Sequence, residues 1–161
     1  MLYTDRLTEH WTVAELCRQK DWPILASNIE AQNHLRRLVA AALEPIRALW
    51  GAPVLCVSGY RSPQHNARVG GARASQHMMG RAADIVPADI DWVSLRAGHG
   101  TEADAKRLRD FTCMIEHHLG KELEGIGGVG LYPGFVHVDI RPRGEGGHIY
   151  RWTGKGFGSE P

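Results

Sequence analysis

His77, Asp84 and His137 are the residues of this chain whose types and settings can do chemistry together. The first two stand in Ser75-Gln76-His77-Met78-Met79-Gly80-Arg81-Ala82-Ala83-Asp84, the third in Tyr132-Pro133-Gly134-Phe135-Val136-His137-Val138-Asp139. Two imidazoles and one carboxylate make a three-ligand zinc set with a fourth position open to water, the catalytic rather than the structural arrangement. Small residues between His77 and Asp84 let the backbone turn, so that a His on a loop and an Asp entering a strand can converge on one ion. Asp84 follows two alanines and precedes Ile85-Val86, and His137 lies between Val136 and Val138. A charged or polar group in such an apolar strand is rarely buried unless it is paired or bound to a metal.

The elements that must position these three follow from pattern. Thr12-Val13-Ala14-Glu15 is a capping box that opens a helix through about Lys20, broken at Asp21-Trp22-Pro23. From Ile29 to Trp50, Leu35, Leu38, Val39, Ala42, Leu43, Ile46 and Leu49 recur at helical steps, with Pro45 expected to bend the helix and Gly51 to stop it. Pro53 to Ser58 reads as a buried strand, Ser62-Pro63 as the start of a short helix ended by Gly70-Gly71, and Ala82 to Val86 as the strand carrying Asp84. Thr101-Glu102-Ala103-Asp104 opens a second long helix through about Leu119, with Leu108, Phe111, Ile115 and Leu119 on one stripe. Ile126 to Leu131 and Phe135 to Ile140 are strands joined by Tyr132-Pro133-Gly134, and His148 to Trp152 is expected to be a last one. Helices first and paired strands later predict an α+β fold, a small, mostly antiparallel sheet with flanking helices.

Length and composition narrow the classes. A chain of 161 residues suits one domain with a single core, expected to span residues 1–161 with its centre from about 12 to 152. The net charge of +1 carries no polyelectrolyte signature, and Lys106, Arg107 and Arg109 are interrupted by acids, so that stretch reads as a solvated helix face and not a nucleic-acid stripe. Cys17, Cys56 and Cys113 form no CxxC pair and sit in apolar surroundings, which predicts buried free thiols. Met1 to Trp11 has no apolar core of a secretory signal, and no apolar run approaches the ~20 residues that span a bilayer. Synthesis in the cytoplasm without an export signal, no membrane insertion and a monomer are the expectations. His117-His118 beside Glu116 reads as a solvated helix face, and Gly127-Gly128-Val129-Gly130 lacks the Lys-Ser/Thr of a phosphate loop.

Val57-Ser58-Gly59-Tyr60-Arg61-Ser62, then Val69-Gly70-Gly71, then Ser75, His77, Gly80, Ala82 and Asp84, and finally Phe135-Val136-His137-Val138-Asp139 resemble the zinc D-Ala-D-Ala carboxypeptidase family. That family includes phage endolysins of the L-alanyl-D-glutamate peptidase type and shares its metal-site fold with hedgehog signalling domains. The resemblance runs from about Thr12 to Trp152. It implies a hedgehog/D-Ala-D-Ala peptidase-like fold, one zinc per chain held by His77, Asp84 and His137, and a peptidoglycan stem peptide as substrate. It also suggests a phage or prophage lysin, or a virion part, acting on the cell wall.

Other roles are less determined. Arg61 follows a strand end, where a guanidinium can clamp a substrate carboxylate or a developing oxyanion, or else pair with a local acid; the resemblance favours substrate. Ser75 is placed to bond substrate backbone or simply to form a turn, and Tyr132 and Trp152 either flank the cleft or pack the core. Related enzymes supply a Glu or His shortly before the last zinc histidine, whereas here Gly134, Phe135 and Val136 stand there. Asp139, two residues after His137 on the same strand face, either accepts the water proton or orients a metal histidine, with His148 in reserve as base. The leading expectation is a zinc metallopeptidase, as carboxypeptidase or endopeptidase. A zinc-stabilised binding module without turnover, or a phage-tail structural module, are the alternatives.

Overall fold

The structure, a computed structural model, describes residues 1–122, 126–142 and 149–154. The capping box forms as expected: the Thr12 hydroxyl accepts from the Glu15 N–H while the Glu15 carboxylate accepts from the Thr12 N–H. The helix it opens, α1 (Val13–Leu16), is one turn and not the two expected, because Cys17 leaves it to bridge Tyr60. Asp21-Trp22-Pro23 does not merely interrupt; with Pro23 in its first turn it starts a second helix, α2 (Trp22–Ala26).

The long helical stretch is α3 (Ile29–Leu38), a wide π-type turn (Val39–Leu43) and α4 (Glu44–Trp50). Pro45 is accommodated by that wide turn, in which the Glu44 N–H reaches the Val39 carbonyl five residues back. A proline ring presses on the carbonyl four residues before it, and opening the preceding turn relieves this. Leu35, Leu38, Val39, Ala42, Leu43 and Ile46 are buried along one stripe, whereas Leu49, expected there too, is exposed. Gly51, at φ 68°, ends the helix. The second long helix, α7 (Glu102–Glu122), buries Leu108, Phe111, Ile115 and Leu119 as its spacing predicts, and Phe111 meets Trp50 of α4 edge-on at 4.9 Å. Each such side chain buried contributes about 1.5–3 kcal/mol.

Five strands form one sheet in the order β1-β2-β4-β3-β5, with β1 (Val54–Ser58), β2 (Ala82–Pro87), β3 (Ile126–Tyr132), β4 (Phe135–Pro142) and β5 (Tyr150–Thr153). All neighbours are antiparallel except β3 and β5, which run parallel. The fold is therefore α+β with a mostly antiparallel sheet and flanking helices. β1 is an edge strand with only Val54 buried and Leu55 exposed, which corrects the expectation of a buried strand. One sheet face presents Ile85, Val129, Val136 and Val138 to the hydrophobic core under the helices. The alternate residues, Asp84, His137 and Asp139, therefore share the other face.

Three further expectations change. Cys17 alone of the cysteines is fully buried; Cys56 is half-buried and Cys113 exposed, all free. His118 is buried while His117 is exposed, so the expected solvated face holds for His117 alone. The short helices α5 (Pro63–Arg68) and α6 (Trp92–Arg96) and a 3₁₀ turn at Gln76–Met79 complete the chain, and α6 was not legible in the pattern. Lys106, Arg107 and Arg109 pair with Asp110, Asp89 and Glu102 on the surface, as a solvated face requires.

Candidate metal centre

Strand register places the first two ligand candidates. Asp84 on β2 lies directly opposite His137 on β4, so their side chains leave the same face as neighbours. His77 comes from outside the sheet, on the 3₁₀ turn that Gly80 closes at φ 70°. A side chain at Gly80 would collide with the Ala31 carbonyl, so this turn lies tight against α3. Gly59 does the same at the end of β1, where a Cβ would strike the Leu16 carbonyl, and the close approach leaves the Gly59 carbonyl facing His77.

Three atoms converge. His77 Nε2 and His137 Nδ1 are 3.2 Å apart, His137 Nδ1 and Asp84 Oδ1 2.9 Å, and His77 Nε2 and Asp84 Oδ1 3.2 Å. Ligand atoms about 2.0–2.2 Å from a tetrahedral ion stand roughly 3.3–3.6 Å apart, so this triangle is close to the size zinc requires. The tautomers agree. His77 Nδ1 lies 2.8 Å from the Gly59 carbonyl, which can only accept, so that nitrogen carries the proton and Nε2 offers a lone pair. His137 Nε2 donates to Asp139 at 3.1 Å, which leaves Nδ1 as its lone-pair nitrogen. Three acceptor atoms thus face one another with no donor between them, an arrangement that a cation stabilises. The donor set fits zinc.

The electrostatics favour the ligating form at Asp84 and His77. Burial would raise the Asp84 carboxyl, but the two imidazoles outweigh it and hold it far below the usual carboxylate range. Burial holds His77 in its neutral, ligating form by pulling its pKa down. For His137 burial acts in the same direction, yet Asp139 and Asp84 outweigh it and raise the ring's basicity.

Arg61 reaches Asp84: its guanidinium donates to Oδ2 at 2.7 Å and to the Ser58 hydroxyl at 2.8 Å. Oδ2 is thereby occupied, and Oδ1 is left for the triangle. Asp139 is 0% exposed and bound on both sides, by His137 and by the bidentate guanidinium of Arg141, which keeps its carboxyl low, at about 2, against the opposing effect of burial. A carboxylate so enclosed has no oxygen turned to a cleft, so of the two roles open to Asp139 the geometry favours orienting His137 over taking a water's proton. Arg141 was missed in the sequence, although it continues the 137, 139, 141 alternation on one face of β4. His148 lies outside the described residues.

Two clefts meet at these residues. One, of about 560 Å³, is lined by Arg18, Ser58, His65 and Arg96 among others, and the second, of about 460 Å³, by Gly71, Ser75, Gln76, His77, His137 and Trp152. Arg61, Val69, Asp84, Tyr132 and Phe135 line both. Ser75 precedes the 3₁₀ turn without capping it. Tyr132 stacks on Phe135 with centroids 4.7 Å apart, and its hydroxyl accepts from Trp152 Nε1 at 3.0 Å. The glycines of β3 have a steric role: a Cβ on Gly128 would sit 2.9 Å from the Asp139 carboxylate, and one on Gly130 2.5 Å from the Trp152 indole. A buried network also escaped the sequence reading. Asp21 accepts from the Ser62 hydroxyl at 2.5 Å and bonds His65 Nδ1 at 2.7 Å, all three being buried.

No helix among the described residues is long and apolar enough to cross a membrane. No curated protein sequence matches the chain. Residues 9–139, which carry His77, Asp84, His137 and the groups that orient them, match the Peptidase M15 family model, and the chain belongs to that family.

Proposed function

We propose that this protein is a zinc-dependent endopeptidase that hydrolyses peptidoglycan stem-peptide bonds involving D-amino acids. Membership of a zinc peptidase family supports the metal chemistry and the wall substrate. The observation that carries the choice of endopeptidase is the pair of clefts meeting at Asp84 and Arg61, which lets a peptide continue in both directions from the metal. A carboxypeptidase needs a wall on one side to receive a chain terminus.

His77, Asp84 and His137 would hold the zinc. Bound there, zinc supplies Lewis acidity and lowers the pKa of a coordinated water toward about 7. Arg61 holds Asp84 in its ligating orientation and lines both clefts, where its remaining N–H groups can meet the scissile carbonyl as it gains charge. Asp139 keeps His137 in the required tautomer, and Arg141 keeps Asp139 ionised. Tyr132 and Ser75 border the path of the peptide. Action on the wall as a phage or prophage lysin, or as a virion part, rests on the family resemblance.

The test is digestion of purified peptidoglycan by zinc-loaded protein, with and without chelator, with products identified by mass spectrometry. Chelator-sensitive internal cleavage is expected. Release of single terminal residues alone would reassign it as a carboxypeptidase, and no release of peptide would sink the enzymatic reading.

A further inference from the structure

The residues that line the two arms of the cleft differ in charge, Arg73 lying exposed between Ala72 and Ala74 without lining either arm. The arm that holds Ser75 is lined by Gly70, Gly71, Ala72, Ala74 and Gln76, and its outer cation, Arg141, is committed to Asp139. The other arm carries Arg18 and Arg96, and through Arg18 and His65 it runs on into a third cleft, of about 590 Å³, that adds Lys20 and Arg68. The acids on that side are already engaged, Asp84 by Arg61 and Asp21 by Ser62 and His65. Arg18, Lys20, Arg68 and Arg96 have no ion-pair partner among the described residues.

The backbone holds two of these cations at the cleft. The Arg18 carbonyl accepts from the Asp21 and Trp22 N–H groups at 2.8 and 3.1 Å, and Asp21 is pinned to α5 through Ser62 and His65. Arg96, at the end of α6, packs against the β3–β4 turn so closely that a Cβ on Gly134 would stand 3.0 Å from its own Cβ. Fixed backbones with free guanidinium heads suit planar, two-point recognition of carboxylates.

We propose that this arm is a carboxylate subsite, in which Arg18 and Arg96 select peptides bearing a free carboxylate on the leg that leads away from the metal past His65. The proposal deepens the stem-peptide reading and rests on it. Amidation of that carboxylate would remove the preference.

Paired synthetic peptides, identical except for Glu or Gln on that leg, test it with the parent, the Arg18→Gln/Arg96→Gln double variant and Arg36→Gln/Arg37→Gln as a charge-matched control on the exposed face of α3. Two quantities are read: kcat/KM with zinc-loaded protein, and equilibrium binding to the metal-free protein. The parent should favour the Glu peptide by about 5–20-fold in both, the control should keep that ratio, and the double variant should bring it near one. An equal response to both peptides in the parent, or an unchanged ratio in the double variant, would overturn the subsite. Competition by poly(glycerol phosphate) as strong as by the Glu peptide would also overturn it, by assigning the arm to phosphate. If neither peptide is hydrolysed the peptidase reading fails, while the binding ratio still decides the subsite.

Discussion

Asp139 holds His137 through Nε2 at 3.1 Å, and so decides which nitrogen of that ring faces Asp84 and His77. The carboxylate is sealed from solvent and neutralised by Arg141, so its influence on chemistry passes through the ring.

Asp139→Asn should therefore lower zinc affinity by roughly 10–100-fold, with activity recovering as zinc is raised. Chelator competition measures this directly. A variant that keeps full zinc affinity but loses on the order of 10²–10⁴ in kcat would instead make Asp139 the general base.

Arg61 is bonded to Asp84, a candidate ligand, so its loss should be felt in metal binding as well as in turnover. Arg61→Ala leaves Asp84 Oδ2 without its charged partner and frees the carboxylate to rotate, and zinc affinity should fall along with kcat/KM. Arg61→Lys should restore much of the affinity and little of the rate, because an ammonium cannot bond Asp84 and Ser58 together while facing a carbonyl. Zinc titration beside steady-state kinetics separates the two effects. Unchanged zinc affinity in Arg61→Ala would confine the residue to substrate contact.

Gly130→Ala puts a methyl 2.5 Å from the Trp152 indole, inside contact distance of a ring that also bonds Tyr132. Overpacking of this kind costs about 1–3 kcal/mol, which is roughly a 2–12 °C drop in Tm at this chain length. A displaced Trp152 should also change tryptophan emission. Parental stability would show that β5 moves freely relative to β3.

The Asp21 network predicts an acid limb in stability. Burial works to raise the Asp21 carboxyl, but bonds from Ser62 and His65 outweigh it and bring it below its ordinary 3.8. A carboxylate with a depressed folded-state pKa contributes stability that is present above its unfolded value and is lost as pH falls through the lower folded value. Asp21→Asn should accordingly destabilise the protein by about 2–4 kcal/mol near neutral pH, and the deficit should shrink below about pH 4. Denaturant unfolding of both proteins from pH 3 to 7 reads this, and a deficit constant across that range would assign the loss to packing.

Bound zinc should raise Tm in proportion to the logarithm of its free concentration, because the triangle exists only in the folded chain. Elemental analysis should give one zinc per chain. Thermal melts insensitive to zinc would refute the site.

Much of this protein was determined locally. His77, Asp84 and His137 stand out because polar groups in apolar or glycine-rich runs conflict with their surroundings unless something binds them, and that conflict is visible one segment at a time. The capping box at Thr12, the stripe from Leu35 to Ile46 and the turn at Gly134 were legible for the same reason: cap chemistry, helical period and a positive φ depend on near neighbours along the chain. The tertiary structure decided what depends on partners distant in sequence. Leu16 and Gly59, Asp21 and His65, and Gly130 and Trp152 meet only after folding, and no spacing rule links them. The role of Asp139 belongs to this second class. On the sequence it was an ionisable group two residues from a candidate ligand; in the fold it is enclosed between His137 and Arg141, which favours a supporting role. The clefts on either side of Asp84 and Arg61 belong here too, because Arg18, Arg96, Ser75 and the β3–β4 turn are brought to them from distant parts of the chain only by folding.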